Sequence, residues 1–319
     1  MSQTVSTSLV SVVMPAYNQA EYIHEAIASV LSQTHLTLEL IIIDNFSTDT
    51  TEKIVNSFND ERIQYYKFHN HGVIAASRNH GVTKASGKYI AFIDSDDIWE
   101  SFKLEYQIPH MQNASCVSSS FKPIGDIDES GHYLNSILDG EFKDFGYDEV
   151  VLENPVITSS VLISRDVFLN AEGFDEDDLF RFIEDWELWL RIAYHGAIRV
   201  LNEPLVQYRI YYKQDRDLRN VRERVLQIFD KHHGLGLLSD KMLVKARGNC
   251  YISIGRAFLN LNDTKGVVFY VKGLFYSDGA RNKARAIAGL LLFLIPKSIR
   301  CLVVKKTSQI SNLFVWRVK

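Results

Sequence analysis

Short apolar runs alternate with helix-forming segments at the start of the chain, and this alternation limits the possible folds more than any other feature. Four such runs, rich in β-branched and aromatic residues, occupy residues 9–14, 38–44, 62–68 and 88–93. Runs of this length and composition predict buried strands, and the segments between them predict helices. Repeated strand–helix units with right-handed crossovers build a parallel sheet. We therefore predict an α/β fold with an open, mostly parallel sheet flanked by helices.

Three acids directly follow the fourth run, at Asp94, Asp96 and Asp97. Open α/β sheets bind ligands at the carboxyl ends of their strands, so these carboxylates are predicted to lie at the ligand crevice. Neighbouring negative charges repel one another unless a cation compensates them, and Mg²⁺ and Mn²⁺ prefer such oxygen ligands. The acids therefore indicate a divalent metal site. A solvated acidic turn is the alternative when such a motif stands alone.

The segments after the other strands are predicted to line the same crevice. They contain residues 15–18 after the first strand, Asp44 at the end of the second, and His71 and Gly72 after the third. An acid in the position of Asp44 can accept hydrogen bonds from a base or a ribose. No G-x-G-x-x-G pattern follows the first strand, which argues against a dinucleotide oxidoreductase, and the sequence lacks the P-loop pattern G-x-x-x-x-G-K-[ST].

A second pair of acids begins a predicted helix over residues 183–193, in which apolar residues recur at helical spacing. Glu184 and Asp185 fall in its first turn, where the helix dipole favours anions. One interpretation is that these acids only stabilise the helix through its dipole. A carboxylate flanked by tryptophans, here Trp186 and Trp189, can also be partly desolvated. Desolvation raises the pKa of a carboxyl group and suits a general base, so both interpretations stay open from the helix alone.

The net charge and the cysteines limit the kinds of partner and the cellular compartment that are expected. The 319 residues carry a net charge of -4, which gives no general reason to expect a nucleic acid partner. Cys116, Cys250 and Cys301 lack the spacing of a metal site or a disulfide framework, which favours a reducing, cytoplasmic compartment. Residues 1–8 have no basic segment and no long apolar core, so no signal peptide is predicted.

The C-terminal segment 281–319 has a charge pattern of its own. It contains nine Lys and Arg residues and no Asp or Glu, and residues 286–295 within it are almost wholly apolar. This apolar run is shorter than the roughly 20 residues that span a bilayer. A basic, amphipathic tail predicts association with a membrane surface. A helix buried against the protein, with its basic residues in solvent, is the alternative.

Four segments, in this order and spacing, together resemble the inverting, nucleotide-sugar-dependent glycosyltransferases of family 2, which have the GT-A fold. They are V-V-M-P-A-Y-N at 12–18, I-I-I-D-N-F-S-T-D at 41–49, the stretch from A-S-R-N at 76–79 to D-S-D-D at 94–97, and E-D-W at 184–186. The resemblance covers about residues 8–212. It implies a GT-A domain over 1–212, with a nucleotide-binding half at 8–112 and an acceptor half at 113–212. Residues 213–319 are then predicted to form a helical C-terminal region that ends in the basic, amphipathic tail.

The resemblance also implies roles for individual residues. The donor nucleotide would be bound by Pro15, Ala16, Tyr17, Asn18, Asp44, Gly72, Arg78, Asp94 and Ser95, with Asp44 on the base. Asp94 and Asp96 would hold the divalent metal, Mn²⁺ or Mg²⁺, that neutralises the donor diphosphate. Asp185, with Glu184 beside it, would be the catalytic base that deprotonates the acceptor hydroxyl.

The chain departs from the family pattern near residue 211. Many relatives carry a histidine shortly after a Tyr-Arg pair, where it contributes to the metal or diphosphate site. Here Tyr208-Arg209 is followed by Ile210 and Tyr211. Metal ligation from this side is therefore in question, and Tyr211 or Lys213 becomes the candidate phosphate ligand.

The activity that the resemblance implies is transfer of a sugar from a nucleotide diphosphate, UDP by family habit, to a hydroxyl of a glycan or lipid-linked acceptor in surface polysaccharide biosynthesis. The tail would place the enzyme on the inner face of the cell membrane. A sugar nucleotidyltransferase is one alternative, although such enzymes usually carry a Gly-rich, basic loop after the first strand, and this sequence has none there. A non-catalytic sugar-nucleotide-binding subunit of an assembly complex is another, and it would not need Asp96 or Asp185.

Overall fold

The computed structural model describes residues 8–126, 140–211, 218–260, 263–277 and 279–295. These residues divide into two compact units. The first unit contains residues 8–126, 140–147 and 155–211, and the second contains 148–154 together with the described residues from 218 onward. The predicted boundary near residue 212 falls at residues 212–217, which lie outside the described part of the chain.

The first unit is built on one nine-stranded mixed sheet. Its strands are β1 (Val10–Ala16), β2 (Leu38–Asp44), β3 (Ile63–Lys67), β4 (Tyr89–Phe92), β5 (Ile98–Trp99), β6 (Cys116–Gly125), β7 (Phe142–Phe145), β8 (Leu162–Ser164) and β9 (Ile198–Ile210). The strand order is β3-β2-β1-β4-β8-β6-β9-β5, and β7 pairs with β9. The first four strands pair in parallel, whereas β8 joins β4 and β6 in antiparallel fashion. The predicted α/β class with an open sheet flanked by helices is confirmed.

The central strands are buried along their whole length, as the apolar runs predict. Every residue of β1 and β2 is buried, and the two strands pair from Val10 with Leu38 to Ala16 with Asp44. A parallel sheet covered on both faces needs such continuous apolar strands. This register places the last residue of β1 beside Asp44, at the edge where the candidate residues were predicted.

Eleven helices occur among the described residues. They are α1 (Ile23–Leu31), α2 (Thr51–Ser57), α3 (Ile74–Lys84), α4 (Lys103–Gln107), α5 (Tyr147–Leu152), α6 (Arg165–Asn170), α7 (Glu184–His195), α8 (Leu218–Gly234), α9 (Asp240–Asn260), α10 (Gly266–Tyr276) and α11 (Ala280–Phe293). Within the first unit, α3 packs closely on β1, because a Cβ at Gly81 would overlap the side chain of Val13. Close packing of α3 fixes the position of Arg78, one turn earlier in the same helix.

Two local expectations differ from the structure. The sequence of residues 99–111, which follows the acidic turn, predicts one continuous helix, whereas the structure has the end of β5, the short helix α4 and a 3-10 turn at Ile108–Gln112. Pro109 explains the break, because proline lacks the N–H and clashes with the preceding turn of an α-helix. Asn18, three residues before Glu21, is predicted from this spacing to cap the first helix, but α1 begins after Tyr22 without a side-chain cap. The Asn18 side chain instead accepts a hydrogen bond from the backbone N–H of Thr48, 2.8 Å away.

The second unit is helical, and small residues let its last three helices approach one another. The Tyr270 ring of α10 lies between Gly255 of α9 and Gly289 of α11, and a Cβ at either glycine would collide with it. Tyr270 and Ala286 belong to one buried apolar cluster, against which Phe293 packs. Across the described ranges, no helix has both the length and the apolar character needed to cross a membrane.

Candidate functional site

The acidic turn, residues 94–97, follows β4 at the carboxyl edge of the sheet. One carboxylate oxygen from each of Asp94, Asp96 and Asp97 lies within 4.8 Å of the other two. Asp97 is fully buried and braces the turn. Its Oδ2 accepts a hydrogen bond from Ser159 Oγ at 2.5 Å, and its Oδ1 accepts one from the backbone N–H of Arg209 at 2.8 Å. Asp94 and Asp96, the two predicted metal ligands, are therefore held side by side.

The end of β9 and the residue after it, Tyr211, contact the acidic turn. The Tyr211 hydroxyl donates to Asp96 Oδ2 at 3.0 Å, and Arg209 Nε donates to the Asp96 carbonyl at 2.9 Å. The Arg209 guanidinium lies over the Tyr22 ring, 4.2 Å from its centroid. The residue at which this sequence departs from the family pattern thus contacts a predicted metal ligand. Lys213, the other candidate phosphate ligand, lies outside the described residues.

Arg78 connects the acidic turn to helix α7. Its Nη2 donates to Asp94 Oδ1 and its Nη1 to Glu184 Oε1, both at 2.8 Å. The guanidinium is buried and lies 5.3 Å from the centroid of the Phe174 ring. Burial disfavours its charge, but the negative charges of Asp94 and Glu184 outweigh burial and raise the pKa of Arg78. One permanently positive group is therefore shared by two acids that are far apart in the sequence.

Asp185 lies next to this ion pair, in the first turn of α7. Its Oδ1 accepts the backbone N–H of Trp186 at 2.6 Å, and its Oδ2 accepts the Thr158 hydroxyl at 3.2 Å. Burial and the neighbouring charge of Glu184 raise the pKa of Asp185 to about 7, against the opposing effects of Arg78 and these hydrogen bonds. A carboxylate with this proton affinity suits a general base that works near neutral pH.

A short 3-10 turn at Thr158–Ser160 brings the two acidic groups to the same place. Thr158 donates to Asp185, while the next residue, Ser159, accepts the backbone N–H of Asp94 at 3.0 Å and donates to Asp97. Two adjacent residues, Thr158 and Ser159, thus contact Asp185 of α7 and the acidic turn respectively. The sequence predicts a strand over 155–164 with Thr158, Ser159 and Ser160 available to contact a ligand, but a hydroxyl-rich run carries no signal that it joins two distant motifs.

The residues after β1 and β2 form a second group at the same edge, since β1 pairs with both β2 and β4. Asp44 is fully buried, and its carboxylate accepts hydrogen bonds from Ser47 and from the Tyr65 hydroxyl, the latter at 2.9 Å. Burial and the bond to Asp44 raise the pKa of Tyr65, so this hydroxyl stays protonated. Asn18 joins the same network, because its backbone N–H donates to Ser47 Oγ at 2.9 Å.

The other predicted donor residues differ in their exposure. Pro15 and Ala16 are buried within β1, which extends beyond the predicted run 9–14, and Tyr17 is 54% exposed. Ser95 is buried between the acids of the turn. Gly72 has a φ of +80°, and its carbonyl accepts a hydrogen bond from Arg181 Nη2 at 2.5 Å. Gly72 therefore lies against the segment that leads into α7.

Comparison with known proteins identifies relatives. The family model described as Glycosyl transferase family 2 matches residues 11–164. UDP-Glc:alpha-D-GlcNAc-diphosphoundecaprenol beta-1,3-glucosyltransferase WfgD of Escherichia coli is 35% identical over 199 residues, which are 61% of this chain and 73% of that protein. An uncharacterized glycosyltransferase of Rickettsia bellii is 36% identical over 209 residues, which are 65% of this chain. The matched region spans only 30% of the length of that rickettsial relative.

A solved structure supports the fold. The mannosyltransferase PcManGT from Pyrobaculum calidifontis, in complex with GDP-Man and Mn²⁺, superposes with a TM-score of 0.61 and 16% sequence identity. The likeness covers 95% of this chain and 87% of that one. It confirms the GT-A type of fold that the sequence motifs imply.

Proposed function

This chain belongs to glycosyltransferase family 2, and from that premise we propose that it transfers a sugar, with inversion, from a nucleotide-diphosphate donor to a hydroxyl of a glycan or lipid-linked acceptor. The observation that carries this proposal is the double ion pair of buried Arg78, which joins the acidic turn to the helix that bears Asp185. The name of the Escherichia coli relative, which includes UDP-Glc and a diphosphoundecaprenol acceptor, supports UDP as the nucleotide and surface polysaccharide biosynthesis as the role.

We assign donor binding to residues 8–112 and acceptor binding to 113–212. In the donor half, the proposed ligands of the nucleotide and its sugar are Pro15, Ala16, Tyr17, Asn18, Asp44, Gly72, Arg78, Asp94 and Ser95. Asp44 is the proposed hydrogen-bond acceptor for an N–H of the base. Its carboxylate is buried, and hydrogen bonds from Ser47 and Tyr65 fix its orientation. Hydrogen bonds that keep a buried carboxylate in one orientation favour selective recognition.

The acidic turn fits a divalent metal. Three carboxylate oxygens within 4.8 Å of one another are the hard ligands that Mg²⁺ and Mn²⁺ prefer. Asp94 and Asp96 are the proposed ligands, because both oxygens of Asp97 accept hydrogen bonds from Ser159 and Arg209. When bound, the ion supplies Lewis-acid stabilisation of the negative charge on the departing diphosphate.

Asp185 is the proposed catalytic base. The acceptor oxygen forms a bond to the anomeric carbon while the bond to the diphosphate breaks, its electron pair leaves with the diphosphate, and the acceptor proton passes to Asp185. A direct displacement of this kind inverts the anomeric centre. Glu184 pairs with Arg78, so we assign it the role of orienting that guanidinium rather than of receiving the proton.

Two substitutions test the proposal in purified protein supplied with UDP-sugars, Mn²⁺ or Mg²⁺, and a lipid-linked acceptor. Asp185→Asn is expected to lower the transfer rate at least about a hundredfold, the usual contribution of a general base, and to keep donor binding. Asp96→Ala is expected to abolish transfer and to weaken metal-dependent donor binding. Glu61→Gln, at an exposed acid before β3, is the control.

Each competing function predicts a different outcome. A non-catalytic subunit would keep its function with both Asp96→Ala and Asp185→Asn. A nucleotidyltransferase would release pyrophosphate from a nucleoside triphosphate and a sugar phosphate, and would not release UDP from a UDP-sugar. Normal turnover by Asp185→Asn would refute the assignment of the base.

We also propose that the protein works at the cytoplasmic face of the cell membrane, held there by the basic segment 281–319. Residues 281–295 of this segment are described, most of them in α11, and 296–319 lie outside the described part. Removing 281–319 is expected to abolish flotation with anionic vesicles. If the full chain and the chain without 281–319 float equally, the segment is not the membrane anchor.

A further inference from the structure

Helix α10 exposes an apolar stripe to solvent. Val268, Val271 and Phe275 are spaced at i, i+3 and i+7, so they share one face of the helix. All three are exposed, and Phe275 is 82% exposed. Lys272 lies on the same face, one turn after Val268. The opposite side of α10 is the one that carries buried Tyr270 and Gly273.

Helix α11 repeats this arrangement. Ile287, Leu291 and Leu294 are spaced at i, i+4 and i+7, and Leu294 is 80% exposed. Lys283, one turn before Ile287, is an exposed cation on the same face. Ala286 and Gly289 are the buried residues of α11. Neighbouring helices of the second unit therefore each bury a small-residue or aromatic side and leave an apolar side in water.

The charged residues of α10 and α11 are all positive, and the acids of the sequence 263–295 are Asp263 and Asp278. Residues 264–277 and 279–295 contain no Asp or Glu, whereas Lys265, Lys272, Arg281 and Lys283 are all exposed. Together with burial, the nearby positive charges of Arg281 and Arg256 lower the pKa of Arg285. Exposed apolar side chains between cations are complementary to a bilayer with anionic headgroups, whose acyl chains lie just below the charged surface.

We propose that the exposed faces of α10 and α11 together form the surface by which this protein docks on a bilayer that contains anionic lipids. Phe275, Leu291 and Leu294 enter the interface between headgroups and acyl chains, while Lys272 and Lys283 contact the headgroups. The inference rests on the proposed function, since a lipid-linked acceptor lies in such a bilayer. It adds α10, which lies before the basic tail, and it assigns the contact to folded helices.

The test is flotation of the full chain with vesicles of phosphatidylcholine and phosphatidylglycerol. Phe275→Ser and Leu291→Ser are each expected to lower the partition coefficient about tenfold, because each removes a large apolar side chain from the interface. Lys272→Gln is expected to lower it about fivefold on anionic vesicles and to leave it unchanged on pure phosphatidylcholine. Leu235→Ser, an exposed leucine after α8, is the matched control and is expected to change nothing.

Hydrolysis of UDP-sugar in the absence of vesicles separates this inference from the proposed function. Each variant is expected to keep the hydrolysis rate of the unchanged protein, which also shows that it folds. Loss of vesicle binding by Leu291→Ser but not by Phe275→Ser would overturn the role of α10. If sedimentation shows a dimer that both serine variants dissociate, and vesicles bind neither form, the stripes contact a second copy of the chain and the membrane proposal is wrong.

Discussion

At the scale of single residues, the site depends on which acid has which partner. Glu184 and Asp185 are adjacent in sequence but differ in environment, because Glu184 pairs with Arg78 while Asp185 accepts only neutral donors, Thr158 and the Trp186 backbone, among the bonds described. Burial and the negative charge of Glu184 raise the pKa of Asp185, and its two hydrogen bonds lower it by less. Two neighbouring carboxylates can thus serve different purposes.

The pH dependence of transfer reports on Asp185. The base works only when deprotonated, so the rate is expected to rise with pH through about 7 and to be lost below it. Thr158→Val removes a hydrogen bond that lowers the pKa of Asp185, so the rising limb is expected to move to higher pH. The measurement is kcat/KM against pH for both proteins. A limb that stays near pH 4 in the unchanged protein would contradict the assignment.

The Tyr211 hydroxyl is expected to orient the Asp96 carboxylate for metal binding. Tyr211→Phe removes only this donor, and loss of such a supporting hydrogen bond typically costs about 10-fold to 100-fold in metal affinity. We therefore expect the Mn²⁺ concentration for half-maximal activity to rise by at least about tenfold. Tyr194→Phe, at an exposed tyrosine of α7, is the control. Equal Mn²⁺ titrations for both variants would remove Tyr211 from the metal site.

The buried position of Arg78 makes its removal costly for folding. Arg78→Met leaves Asp94 and Glu184 without their shared cation, and breaking a buried ion pair in this way costs about 3–5 kcal/mol. Lys67→Met, in the exposed pair with Glu52, is expected to cost at most about 1 kcal/mol. Urea denaturation of the two variants measures the difference. Similar unfolding midpoints would show that the site does not depend on Arg78 for its stability.

At the scale of elements, the sequence predicts regular segments well and irregular ones poorly. The bounds of β2 agree with the predicted run 38–44, because a continuous apolar run is a local pattern. The segment 155–164 was expected to be a strand throughout, but only Leu162–Ser164 is one. Its 3-10 turn is set by hydrogen bonds to Asp94, Asp97 and Asp185, and contacts over such distances leave no periodicity in the chain.

The packing of α3 on β1 gives a prediction at this scale. Gly81→Ala is expected to destabilise the protein by about 1–3 kcal/mol, because the added methyl group overlaps Val13 in a packed core. This cost exceeds the gain of at most about 1 kcal/mol that alanine brings to a helix. Gly234→Ala, at a helical glycine with open space around its Cα, is expected to be neutral or stabilising. If both variants unfold at the same urea concentration, α3 is not packed as described.

At the scale of the whole molecule, the resemblance to a known family reaches only part of the chain. Its motifs predict the α/β unit and the acids at the edge of its sheet, whereas the helices after residue 218 carry no such motifs. The division into units is also not a simple cut, because residues 148–154 belong to the helical unit although they precede β8 in the chain. A domain boundary predicted from sequence alone does not detect that a short segment such as 148–154 belongs to the other unit.

Truncation tests this division. A chain that ends at residue 212 lacks most of the unit to which residues 148–154 belong. Val150 and Val151, which are buried in the full chain, are then expected to become exposed. We expect a lower Tm and increased binding of a hydrophobic dye, compared with a chain that ends at residue 295. Equal dye binding by the two chains would show that α5 does not need the helical unit.

The shared guanidinium of Arg78 also limits how this sequence can diverge. A descendant that lost Asp94 or Glu184 alone would leave the other acid balancing a buried charge by itself, at a cost large enough for selection to remove it. The three positions are therefore expected to be inherited as a set. Residues around these three positions can change with donor or acceptor specificity. Arg78, Asp94 and Glu184 are expected to stay together, or to be replaced together, because they join the acidic turn to α7.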